Sequence, residues 1–454
     1  MEIDTLKSLP LLLCLGMLQS CGDVDSIVEQ ELLADPPDIL PIVAESASDS
    51  LATCLSIVEG NTLLPHQDNS AIPTSQKPAK GSAYVDPAFD TCVMRITDHE
   101  TEPPYGLARN NYSRQQAFNA DNTKIIVTAQ DGHWHLYSAR DWQWIKQLNG
   151  VAGDAEPHWH FDDPDVLWYL PTDGVGMTIM SLNVETNTTR IAADMASQLL
   201  ERWPAITNAS TRSEGSPSQD GRYWAFIAEN SEFEGLGIFV WDLLRQQLHA
   251  ALDTSDYIDY VTMSPSGRHV VVGGESGVVV HDRDLLTERP LNLQTEHSDI
   301  AISKSGDDVY VSLDFEGQRG PLIMFNLDTG VHTELLDTYI NRTSTAFHIS
   351  GKAYAAPGWV LVSTYDYSGN QQQWLHEKLF ALELVPNPRV VQLAHHHARR
   401  QPADDDSIDW YFREPHATVN RDFSEVLFSS NWRSEDPLDV DTYLVALPDG
   451  AWEP

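Results

Sequence analysis

Histidine both moves protons and binds divalent metals near neutral pH, and eight of the 17 in this chain fall in three short regions. QDGHWHLY carries His133 and His135, GDAEPHWH carries His158 and His160, and the run His395, His396, His397 precedes His416 of EPHATVNRDFSEVLFSSNW. Alternate residues on a strand share a face, so His395 and His397, joined by His416, offer three imidazoles to a divalent ion such as zinc, manganese or calcium. His133, His135 and His158 suit proton transfer instead, with Arg114, Arg202 or Arg212 available to pair with a carboxylate. Asn111 and Tyr112 add hydrogen-bonding groups, Tyr112 with a phenolic proton to give. No phosphate-binding glycine loop, GxSxG elbow or HExxH helix is present, which argues against nucleotide chemistry, serine hydrolysis, zincin proteolysis and an organic cofactor.

Such residues come together only if a repeated framework carries them. Arg114 to Thr128 (RQQAFNADNTKIIVT) reads as a strand, a polar turn and an apolar strand, and the pattern returns at Glu156, Glu214, Tyr260, Asp299, loosely at Ser344, and at His416. Asn, Asp, Ser and Gly at the turns accept the local backbone that a hairpin needs. Two further strand-like runs follow most copies, and repeats of ~40 to 50 residues with four strands each indicate a β-propeller. The expected fold is all-β, a seven-bladed propeller. The last repeat is one strand short and Asp90 to Thr97 is spare, so this N-terminal strand is predicted to complete the last blade and close the ring. In this register Gln115, His158, Glu214, Tyr260, Asp299, Ser344 and His416 surround one channel mouth. The turn residues Asp121, Asp220 and Asp422 lie on the opposite rim. Long connections at 192–213 and 397–414 are where a site would be built.

The N-terminus reads differently. Leu9 to Leu18 is apolar but too short to span a bilayer, and Leu18-Gln19-Ser20-Cys21 resembles a lipoprotein processing box. Residues 1–21 are therefore expected to be a lipoprotein signal, with Cys21 the lipid anchor of an exported protein. Residues 22–80 read as an acidic, mostly irregular tether, and 81–454 as the propeller, expected to be a monomer. Cys54 and Cys92 could pair in an oxidising compartment. With 67 Asp plus Glu against 28 Lys plus Arg, the net charge of -39 argues against nucleic acid and anionic lipid as partners. A polyanionic ligand would need a local cationic pocket.

EPHATVNRDFSEVLFSSNW, GDAEPHWH and NYSRQQAFNADNTKIIV together resemble the seven-bladed-propeller polysaccharide lyases, the ulvan lyases and oligogalacturonate lyases. The resemblance spans the chain from about Gly81 onward and implies β-elimination in an anionic, uronate-containing polysaccharide, with ulvan the first expectation. By likeness to ulvan lyases, His158 is the expected base, His135 or His133 the acid or neutralising partner, Arg212 clamps the carboxylate, and Tyr112 or Tyr411 stands in for a Tyr that is missing from the matching position. Arg114, Gln115, Arg202, Asn111 and Trp159 are expected to contact substrate. Oligogalacturonate lyases are similar in the last blades, where the family holds manganese with three His and a Gln; here His416 matches, but Glu414 and Tyr411 replace a His and the Gln. A non-catalytic glycan-binding or scaffold propeller would keep the blades and use Trp134, Trp159 and Trp203 for stacking. A hydrolase would want facing carboxylates, for which Glu214 and Asp299 are the pair.

Overall fold

The structure, a computed structural model, describes residues 46–454 except 61–62, 64–71, 214, 276, 292, 294–296, 342, 369–371, 403–404, 406, 408, 449–450 and 453–454. The proposed signal, Cys21 and the start of the tether lie outside the described residues. Seven antiparallel sheets follow one another along the chain, six with four strands and one with five. Their inner strands are Ala108–Arg109, His158–Trp159, Asn208–Ser210, Ile258–Met263, Ser298–Ile302, Thr345–Ser350 and Thr418–Val419, defining blades 1 to 7.

The sequence pattern explains the layering. Middle strands are covered on both faces by neighbouring blades, so Tyr223–Glu229 and Asp441–Ala446 are buried at every residue. An outermost strand such as Gln247–Asp253 is half-buried along its length and exposed at its two ends. The turns also follow their residues. Asn119 Oδ1 accepts from the backbone of Thr123 (2.8 Å) and Lys124 (2.9 Å), and Asn420 Oδ1 does the same for Ser424 (3.0 Å) and Glu425 (3.1 Å). An Asx side chain thus caps the turn leading into the second strand of blades 1 and 7.

Ring closure is as predicted, with one strand more. Cys92–Arg95 pairs with Asp441–Ala446 of the last blade, Cys92 opposite Ala446 and Arg95 opposite Tyr443. Ala83–Val85 then pairs outside it, so the seventh blade combines three C-terminal and two N-terminal strands. The segment read as a tether contains a helix, Ala47–Val58, whose N-terminus is capped by Ser46. Its Cys54 is disulfide-bonded to Cys92 with the Cα atoms 5.9 Å apart. The helix is thereby fastened to the closing strand.

Candidate active site

Inner strands begin at one rim of the channel, and there four blades bring nitrogen and oxygen donors together. Blade 7 supplies Arg413, Glu414 and His416 from the stretch between a short helix, Asp409–Phe412, and its inner strand. His416 adopts φ 40°, a conformation that non-glycine residues hold only under constraint. Blade 6 gives His348 from within Thr345–Ser350, blade 5 gives His297 just before Ser298, and blade 1 gives Arg109 and Tyr112.

His348 Nε2 lies 2.8 Å from Glu414 Oε2, and His416 Nε2 lies 3.5 Å from the same oxygen. The two imidazole rings are 4.3 Å apart. Arg109 Nη1 sits 3.0 Å from His416 Nδ1 and fixes that ring. His297 stands 4.9 Å from His348, with its Nε2 3.3 Å from the Tyr365 hydroxyl. His348 Nδ1, His416 Nε2 and His297 Nδ1 are buried without a hydrogen-bond partner among the described residues. Unsatisfied buried polar atoms are costly and point to a missing ligand.

Burial sets the charge state. It pushes the Glu414 carboxyl up to about 8, against the opposing charges of Arg413 and Arg109. Burial also holds His348 well below the usual imidazole range, helped by Arg114, Arg109 and Arg413. His416 and His297 are lowered for the same first reason, with His348 and an arginine adding to each. The ligand atoms of His348, Glu414 and His416 lie within 4.8 Å of one another. Two neutral imidazoles and a carboxyl that gives up its proton to an ion at such spacing fit a divalent ion of the zinc or manganese kind. A second group, His99, Asp439 and Asp441, also converges. There Lys77 contacts both carboxylates at 2.6 and 2.9 Å and Arg95 lies 3.3 Å from Asp441, so side-chain cations already balance it.

A pocket adjoins the triad, lined by Asn111, Tyr112, Arg114, Gln115, Trp134, Glu156, His158 and Ser213. Tyr112 links the two, its ring 5.4 Å from His348 and 5.1 Å from His416. The buried Arg114 places its guanidinium over Tyr112 (5.6 Å) and Tyr260 (4.8 Å). The predicted residues Tyr112, Arg114, Asn111, Gln115 and His158 are thus gathered. Gln115 is partly committed, donating from Nε2 to Pro157 O at 2.8 Å.

Others are elsewhere, and their partners say why. His133 is exposed. His135 is held inside blade 1, with Nε2 3.0 Å from Asp131 and Nδ1 accepting from Trp144 Nε1 at 3.2 Å, so neither joins His158. His160 stacks on Phe161 and caps the turn at Asp162 and Asp163. Arg212 gives Nη2 to Glu229 and Nη1 to Ile258 O, each at 2.6 Å, and is no clamp for substrate. Arg202 pairs with Asp253 at 2.6 Å on the outside of blade 3. Trp159 is buried and donates to Ala117 O at 2.9 Å as part of the core. Of the expected metal trio, His395 and His397 stay neighbours, their rings 6.0 Å apart, while His416 groups with His348 and Glu414 instead. His395 packs on Phe89 and lies 3.6 Å from Asp86, while His397 packs on Trp432, both beside the closing N-terminal segment. Glu214 lies outside the described residues, and Asp299 is paired with Lys352.

His297, His348, Arg109 and Tyr365 were not legible as site residues. The repeat register put Asp299 and Ser344 at the mouth, two residues after His297 and four before His348. A lone His inside an apolar strand reads as core.

No family model matches this sequence, and no curated protein does. The chain is similar to the crystal structure of an oligogalacturonate lyase from Vibrio parahaemolyticus, with TM-score 0.56 and 16% identity over 82% of this chain and 97% of that one. It is similar also to an oligogalacturonate lyase in complex with manganese, with TM-score 0.58 and 17% identity over 82% and 97% of the two chains. At this identity the likeness establishes the seven-bladed propeller fold.

Proposed function

We propose that the protein is a metal-assisted lyase that cleaves uronate-containing oligosaccharides by β-elimination, of the oligogalacturonate type rather than the ulvan type. The observation that carries this reading is the buried His348, Glu414 and His416 donor set beside the Arg114 pocket. The same-fold oligogalacturonate lyase that holds manganese supports it. The ulvan-type reading needed His133 or His135 next to His158, and they lie apart.

β-Elimination removes the weakly acidic proton at C5 of a uronate and expels the C4 oxygen, so it needs charge neutralisation at the carboxylate, a base and an acid. A divalent ion held by His348, Glu414 and His416 would supply Lewis-acid stabilisation of the charge that develops on the carboxylate. Arg114 pairs with the same carboxylate from the pocket side. His297 takes the C5 proton: it is neutral, touches His348 and lies within electrostatic reach of Arg114. Tyr112, between triad and pocket, returns a proton to the leaving oxygen. The disulfide from Cys54 to Cys92 supports the further proposal of an exported protein, anchored through Cys21.

The test is ultraviolet absorbance of an unsaturated uronate end on incubation with oligogalacturonate, ulvan or alginate, with and without added manganese. Manganese-dependent product from oligogalacturonate is expected. Binding of all three glycans without product would replace the lyase with a glycan-binding propeller.

A further inference from the structure

Two consecutive residues at the pocket hold a strained backbone that the elimination steps do not explain. Arg212 and Ser213 adopt φ 56° and 66°, in the left-handed region that non-glycine residues occupy only at a cost. The buried Glu156 enforces it. Its Oε1 accepts from the backbone N–H of Ser213 at 2.8 Å, and its Oε2 accepts from the Thr211 hydroxyl at 2.6 Å. The Thr211 N–H is shared between the two oxygens at 3.1 and 3.2 Å. With the residues on either side fastened to one carboxyl, Ser213 lines the pocket beside Glu156, and the Arg212 side chain is led away from it.

Where Arg212 goes is equally fixed. Besides its bonds to Glu229 and Ile258 O, its guanidinium lies against the Tyr257 ring, 4.8 Å from the centroid. Tyr257 directly precedes Ile258–Met263, the inner strand of blade 4, so it stands on the rim where inner strands begin. Arg212 backs one face of this ring, and the residue is still 47% exposed, open to water on the side away from the arginine. A cation held behind an aromatic ring orders it, so a ligand need not bear the cost of immobilising it. An ordered, exposed ring suits the C–H face of a sugar, which it covers through dispersion and apolar contact. The Arg212 charge is already answered by Glu229 at 2.6 Å. Such a platform holds a sugar by contact area, not by charge.

We infer that Tyr257 is a stacking platform for a sugar beyond the two that share the cleaved bond, with Arg212 and Glu156 as the positioning residues that set it at the rim. Longer oligomers then gain a contact that the shortest substrate lacks. The class of sugar rests on the uronate lyase reading above.

The experiment compares the wild type, Tyr257→Ala, Tyr257→Phe and Phe315→Ala, the last removing an equally exposed ring (47%) from the loop between the second and third strands of blade 5. Unsaturated product gives kcat and KM on oligogalacturonates of two, three and four units. Tyr257→Ala raises KM several-fold to about ten-fold for three units and longer, with kcat and the two-unit KM unchanged. Tyr257→Phe and Phe315→Ala behave as wild type. The rise is the same at low salt and at about 0.15 M, because no ion pair is lost. An unchanged KM at every length overturns the inference, and so does an equal effect of Phe315→Ala. A rise that includes the two-unit substrate puts the ring inside the cleaving subsites and overturns a separate platform. A rise that vanishes with salt makes the Arg212 charge the attraction and overturns stacking. If the wild type yields no unsaturated product, the lyase reading fails, and equilibrium binding of the same oligomers by calorimetry decides the platform. Tighter binding of three units than two, lost in Tyr257→Ala, keeps it; equal binding, or none, overturns it.

Discussion

At the scale of single residues, holding a metal and moving a proton fall to different side chains on the proposed reading, which expects that the two can be removed independently. His348 and His416 are buried rings whose Nε2 atoms face Glu414 at 2.8 and 3.5 Å, so His348→Ala or His416→Ala should abolish manganese binding, measured as bound metal after dialysis. His297 stands beside that triad without joining it. His297→Gln should therefore retain the metal and lose about 10²- to 10⁴-fold in kcat with little change in KM, the size expected for general base catalysis. A His297→Gln enzyme of wild-type kcat would strip that residue of its role. Only part of this site was legible in the sequence. Tyr112, Arg114 and His158 could be found because they sit in or beside a repeat start, where loops converge. His133 and His135 were misplaced because strand alternation gives a face, not a partner. Asp131 and Trp144, four residues before His135 and nine after it, take its two nitrogens.

At the scale of elements, the same comparison follows element length and chemistry. The long middle strands and Asx-capped turns announce themselves, and the spare strand at Cys92 was visible because the last repeat lacked one. Ala83–Val85 is three half-buried residues with no pattern to detect. The helix Ala47–Val58 hid in acidic, serine-containing sequence because tertiary contacts and the bond to Cys92 hold it, more than its propensity. Closing a loop of 38 residues in the unfolded chain should make that disulfide worth about 3 to 4 kcal/mol. The Cys54→Ser/Cys92→Ser variant is expected to unfold at a clearly lower urea concentration while its kcat stays near wild type, since neither cysteine approaches the channel mouth. Loss of activity before any loss of structure would contradict that separation. A Cβ at Gly351 would be driven into Ile300 O (2.5 Å) and Ala301 Cβ (3.0 Å). Gly351→Ala should then destabilise by roughly 1 to 3 kcal/mol as an overpacked contact, read as a lowered melting temperature.

At the scale of the whole molecule, acidity governs both stability and approach of substrate. Burial alone would raise the Asp441 carboxyl, yet the His99 hydrogen bond and the charges of Lys77 and Arg95 outweigh it and hold it at about 2. Its folded value lies below the unfolded one of about 3.9. The pairing therefore stabilises the fold above about pH 4 and is lost as pH falls toward 2, an effect of about 2 to 3 kcal/mol. Asp441→Asn should flatten stability across that window, measured by urea midpoints at each pH. Substrate meets a different balance. A chain of net charge -39 repels a polyuronate at long range, while the buried Arg114 attracts its carboxylate only at contact. Added salt shortens the Debye length to about 10 Å at 0.1 M, which weakens the long-range repulsion more than a buried contact. On the proposed lyase reading, kcat/KM on oligogalacturonate should consequently rise several-fold between low salt and about 0.15 M, through KM, with kcat nearly constant. The rise should be steeper for longer oligomers, which carry more charge past the acidic rim. A steady fall with salt at every oligomer length would mean that a cationic surface, not the buried Arg114, captures the chain.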